Sequence, residues 1–179
     1  MIETLDSRLT VLQNPKFESL VFRDRVDFLA GCADQELIDY TSKVIEASKP
    51  ILTKICAARN KSGCVLGVTR RVKDFPVYMV EIGKVATDDA RYVPGSKIDR
   101  YYEFCNGKAK TLQDNPQFTR SSQNISDLPK ESRAKSTVTN EAFPGGAIVV
   151  GDYIISISGV SSDPIDDENA ALKIVAALR

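Results

Sequence analysis

Apolar residues recur along this chain with two different periods, and the alternation between them predicts a domain of mixed strands and helices. Ala147–Val150 and Tyr153–Ser158 are short β-rich runs, and the Gly151-Asp152 between them is a two-residue hairpin turn. In the second run Ile155 and Ile157 alternate with Ser156 and Ser158, so one face packs and the other is polar or borders a pocket. Cys64–Arg70 and Val77–Gly83 are also strand-like, joined by a turn that carries Lys73-Asp74-Phe75-Pro76, and should pair antiparallel.

The helical rhythm is clearest behind Asp34, a plausible N-cap. Leu37, Thr41, Val44, Ser48, Ile51 or Leu52, and Ile55 recur at three- and four-residue steps, predicting an amphipathic helix that ends near Asn60–Gly63. Pro50 lies inside it, and an interior proline costs about 3 kcal/mol of helix propensity, so a kink or break is expected near Ser48–Pro50. Ahead of it, Phe17, Leu20, Val21, Asp24 and Phe28 suggest a short helix near 16–30, packed on its own domain or serving as an oligomer arm.

A second helix is expected over 97–113, with Ser96 and Asp99 as a capping-box-like start. Ile98, Tyr101, Tyr102, Cys105, Ala109 and Leu112 fall on the face that packs on the sheet. Phe104, Lys108 and Thr111 form a stripe along its edge. Lys108 thus sits at the boundary between core and solvent, as a snorkelling lysine or as a ligand-facing amine.

Gln113–Asn140 is polar and too long for a bare loop in a compact domain. Thr119–Leu128 is expected to hold a short helix. Pro129–Lys135, with Lys130, Arg133 and Lys135, reads as an exposed loop or lid whose charges are solvated or meet an anion. Next, Phe143-Pro144-Gly145-Gly146 stops any helix and removes two side chains, which lets backbone or ligand come close. A final helix over 164–178 follows the cap candidates Ser161-Ser162-Asp163. Asp163, Asp166, Asp167 and Glu168 crowd its first turn, where the helix dipole favours negative charge; this suffices without a metal.

Composition narrows the function classes. With 179 residues, 42% of them hydrophobic, the chain fits one domain that buries its own core. Lys plus Arg and Asp plus Glu number 24 each, so no excess positive charge draws the surface to a nucleic acid. Histidine is absent, which excludes a Ser-His-Asp or Cys-His pair and any imidazole ligand to a metal or to haem iron. Cys32, Cys56, Cys64 and Cys105 make no C-x-x-C pair and read as small buried hydrophobes in a reduced compartment. No stretch nears the length of a membrane span and no leader is apparent, so a soluble cytoplasmic protein is expected.

Two separated stretches carry a family resemblance. The tail from Phe143 to Leu178 resembles the C-terminal signature of the GlcG/HbpS family of haem-degrading domains. Gly145-Gly146, the G-V-S of Gly159-Val160-Ser161 and the acidic pair Asp167-Glu168 stand in the family's order. Upstream, Lys108-Ala109-Lys110-Thr111 resembles the family's K-A-x-T, and Pro116–Arg120 its following turn. The resemblance covers about 34–178 and divides the chain into an N-terminal extension, 1–33, and a GlcG/HbpS-like domain, 34–179. It implies an α/β (α+β) fold of the profilin-like sandwich type, with an antiparallel five-stranded sheet flanked by helices, in a homo-oligomer. The family's first-strand V-V-D-x-x-G is replaced here by a segment bearing Arg70 and Arg71.

Three functions follow as expectations. The first is a small-molecule-binding, sensory domain whose ligand is a tetrapyrrole or a small carboxylate. It would be bound by Lys108, Thr111, Phe104, Gly145 and Gly146, with no nucleic acid and no membrane as partner. Haem as that ligand would need Tyr, Cys or Lys on its iron. The second is an enzyme that uses Lys108 as general base or Schiff-base amine, and the third is a structural, oligomer-forming subunit. The first depends on Lys108 and the glycine pair meeting in space.

Overall fold

A computed structural model of the chain describes residues 11–12, 21–23, 34–73, 75–85, 97–123 and 145–179. Two short strands, β1 (Val11–Leu12) and β2 (Val21–Arg23), precede the long helix α1 (Gln35–Ala58). Strands β3 (Gly63–Arg70) and β4 (Tyr78–Gly83) follow, then helix α2 (Lys97–Asp114), the hairpin β5 (Ala147–Val150) and β6 (Tyr153–Ser158), and helix α3 (Pro164–Ala177).

The chain has the expected mixed α+β class. Among the described residues, four strands form the antiparallel part of a six-stranded sheet, in the order β4-β3-β6-β5, where an antiparallel sheet of five was expected. At one side β2 joins β4 in parallel, and β1 pairs with β2. The short helix expected near 16–30 is therefore corrected at Val21–Arg23, which is strand, because sheet pairing overrides a weak helical rhythm; its other residues lie outside the described ones. At the far side, Arg120 bridges Ile148, with Ser121 N–H donating to Ala147 O and Val149 N–H to Thr119 O. Thr119–Ser122 of the stretch expected to hold a short helix is instead an extended contact and a turn, and Gln123 is helical; the remainder lies outside the described residues.

Side chains alternate across the sheet and divide the core in two. Cys64, Leu66 and Val68 of β3 and Ile155 and Ile157 of β6 face α1 and α3, where Leu37, Val44, Leu52, Ala171 and Ile174 complete one cluster. Val65, Met79, Ala147 and Ile154 face α2, with Tyr102, Cys105, Ala109 and Leu112. Helices therefore cover both faces. Ser156 and Ser158 are buried beneath this second layer, so the polar face of β6 is no open pocket wall.

Asp34 caps α1 by accepting from Leu37 N–H at 3.0 Å, as its position predicts. The helix runs through Pro50 without the expected break. Pro50 is exposed, and Val44, Ser48, Leu52 and Cys56 on either side of it are buried, so core packing holds the helix together across the missing hydrogen bond. Arg70 of β3 fastens the start of α1, donating to both carboxylate oxygens of Asp34 and to Glu36. Its guanidinium lies 4.7 Å from the centroid of the Tyr153 ring, which stacks in turn on Tyr40. No described helix is long and apolar enough to cross a membrane.

Candidate functional site

Helix α2 carries its polar residues inward as well as outward. Gln113 donates to Thr69, to Arg70 O and to Phe75 O, tying the helix end to the β3–β4 turn. Arg71 reaches the other way and donates to Pro116 O and Phe118 O. Cys105 packs against Ser156, with Sγ and Oγ 3.1 Å apart, in space that Gly67 leaves free. Burial pushes the Cys105 thiol up to about 12, so it stays protonated.

Lys108 is the centre of the arrangement. It is only 4% exposed, and its Nζ donates to Asp167 Oδ2 at 2.7 Å and to Ile157 O at 2.9 Å. Asp167, 2% exposed, accepts a second bond from Val160 N–H at 2.9 Å through Oδ1. Lys108 belongs to the helix on one face of the sheet and Asp167 to a helix on the other. The lysine passes between the layers beside Gly146, just ahead of β5. A Cβ at Gly146 would lie 2.6 Å from Lys108 Cδ and 2.7 Å from Nζ, so the absence of a side chain there is what admits the lysine. Burial raises the Asp167 carboxyl above its usual range, against the opposing pull of the Lys108 charge and the backbone amides of Val160 and Gly159.

The other acidic residues of α3 have separate partners. Asp163 accepts from Ile165 N–H as the N-cap, and Asp166 pairs with Arg59 at the end of α1. Glu168 accepts from Ser122 N–H at 3.1 Å and from Ser122 Oγ at 2.8 Å, holding the 119–123 segment against the helix. The helix dipole accounts for their crowding, but Asp167 and Glu168 are buried and specific as well. Among the described residues no group of three His, Cys, Asp or Glu side chains is set to hold a metal.

The residues expected to bind a ligand divide as follows. Lys108 and Gly146 are in direct contact. Gly145 adjoins them in sequence but packs on Pro164 and Ile165 at the start of α3. Thr111 is buried and donates to Gly107 O within its own helix, while Phe104 is half-buried. The cluster Lys130, Arg133 and Lys135 lies outside the described residues, as does most of the loop expected to cover the site. Lys108 is neither snorkelling nor open to a ligand here; its ammonium is consumed by the protein. Sequence reasoning missed Asp167 as its partner. The available signal was charge: a lysine at the margin of a packed helix face needs an anion if it is buried, and the acidic pair after the G-V-S was one source.

No family model, curated protein or solved structure matches the chain.

Proposed function

We propose that the protein is a small-molecule-binding, sensory domain of the GlcG/HbpS type, folded as a profilin-like sandwich and working as a homo-oligomer, without nucleic acid or membrane as partner. In this reading the Thr119–Ser121 bridge to β5 counts as the rudiment of a fifth antiparallel strand. Support comes from one convergence. Lys108 from the K-A-x-T, Gly146 from the glycine pair, Val160 from the G-V-S and Asp167 from the acidic pair, far apart in the chain, meet in a single hydrogen-bonded knot. The motifs that carry the resemblance are thus the residues that join the two helix layers. The knot then serves as the rigid floor of a site for a tetrapyrrole or small carboxylate, with half-buried Phe104 as its aromatic contact. Haem, if bound, takes no histidine ligand from this chain.

A structural, oligomer-forming subunit is the second reading. It is favoured by the filling of the space between Lys108 and Gly146 by the lysine itself. A lysine-dependent enzyme has less in its favour, since a Schiff-base or general-base amine must be neutral and reachable, and Lys108 Nζ is buried 2.7 Å from a carboxylate. A thermal-shift screen with haemin, a corrinoid and small carboxylic acids separates the first two. A ligand at a hundred times its Kd adds about 2.7 kcal/mol of stability, a rise of several degrees. No shift with any of these, in a protein that sediments as an oligomer, would leave the structural reading in place.

A further inference from the structure

Two of the buried thiols stand on either side of the turn between α1 and β3 and belong to one core cluster. The last turn of α1 closes with Arg59 N–H donating to Cys56 O, and Asn60 adopts a left-handed conformation at φ 54. Lys61 N–H then donates back to Cys56 O at 2.9 Å, so the chain reverses and β3 starts beneath the helix end. Cys56 and Cys64 both point into the cluster between α1, α3 and the sheet. Each is the foremost influence on the other's ionisation, Cys64 lowering Cys56 and Cys56 raising Cys64. Arg59 and Lys61 add positive potential at Cys56, against the opposing effects of burial and Asp167. Cys56 is 3% exposed and Cys64 fully enclosed. Cys105 belongs to the cluster on the other face, against Ser156.

We propose that Cys56 and Cys64 form a peroxide-oxidised thiol pair, in which Cys56, the less deeply enclosed of the two, reacts first and Cys64 closes a disulfide across the α1–β3 turn. The Cys56 thiolate attacks hydrogen peroxide, breaking its O–O bond to give a sulfenic acid, and the departing hydroxide takes up a proton to leave as water. The Cys64 sulfur then attacks the sulfenic sulfur, forming the S–S bond and releasing a second water. Two thiols and one peroxide thus give one disulfide and two waters. The positive neighbours favour the first step and the enclosed second thiol favours the closing one over further oxidation.

The test uses the folded full-length chain, treated with hydrogen peroxide, alkylated and digested with trypsin without reductant. The expected product is Ile55–Arg59 joined to Ser62–Arg70, lost on treatment with dithiothreitol. In Cys64→Ser, the sulfenic acid at Cys56 should persist and be trapped by dimedone. Full alkylation of both cysteines after peroxide, a link from either to Cys32 or Cys105, or over-oxidation of Cys56 with Cys64 left free would overturn the assignment. Should Cys64→Ser not fold, the peptide map of the unaltered protein decides alone.

Discussion

Replacing Lys108 by Met keeps most of the length of the side chain and removes its charge, leaving Asp167 buried without its counter-ion. Asp167 is 2% exposed and retains the Val160 amide, but loses the 2.7 Å bond to Nζ, while Ile157 O loses a donor. Breaking one side of a buried pair in this way costs about 3–5 kcal/mol. At this chain length each kcal/mol lowers Tm by roughly 2–4 °C, so the expected fall is about 6–20 °C. The loss should depend on pH. Burial already holds the folded-state Asp167 carboxyl above its unfolded value near 3.9, and without Lys108 it rises further. The folded variant then retains a proton that the unfolded chain gives up, so the contribution of this group to stability is fully present below about pH 4 and is lost as pH rises through the folded-state value. Adding Asp167→Asn removes the stranded charge and keeps an acceptor for Val160 N–H, so the double variant should lose only about 1–2 kcal/mol at pH 7. Urea unfolding followed by circular dichroism between pH 4 and 8 measures all three proteins. A loss under about 1 kcal/mol in Lys108→Met, or a double variant no more stable than the single one, would refute a buried pair as the joint between the layers.

Gly146→Ala and Gly151→Ala both place a side chain at positive φ, 89 and 58, but only the first meets a neighbour within 4 Å. The first should cost about 2–4 kcal/mol and the second about 1 kcal/mol in the same unfolding assay, the difference being the crowding of Lys108. Glu168→Ala should release Ser122, speeding hydrogen exchange at its amide and lowering stability by about 1–2 kcal/mol. Arg70 holds the Asp34 carboxyl below its usual range, so this contact stabilises the fold above about pH 4 and is lost as pH falls. Arg70→Ala should therefore reduce the loss of stability between pH 5 and 3 in acid titration monitored by circular dichroism.

Elements whose rhythm is local were legible. The hairpin appears at Ala147–Val150 and Tyr153–Ser158 as its Gly151-Asp152 turn requires, and the final helix starts at Pro164 behind the Asp163 cap. Illegible features depend on distant partners. Val21–Arg23 becomes strand only because the edge of β4 is there to receive it, and no pattern within three residues announces that. Pro50 promised a kink or a break, and packing on both sides keeps the helix unbroken. At the site, Lys108 was expected to meet the glycine pair; it meets Gly146 but not Gly145, and the meaning of that contact changed. The side chain that was to greet a ligand fills the gap itself, because a buried ammonium takes the nearest anion and Asp167 lies two layers away in space and 59 residues along the chain.

The extended contact at Arg120 has a consequence for assembly. An unpaired sheet margin invites another chain to dock strand against strand. Along Ala147–Val149 that margin is already occupied, since Ala147 O and Val149 N–H, which would otherwise face outward, bond to Ser121 and Thr119. Copies of this protein therefore cannot join by continuing the sheet past β5 there unless this flap is first peeled away. Along these residues the chain's own fold guards the margin against fibrous growth.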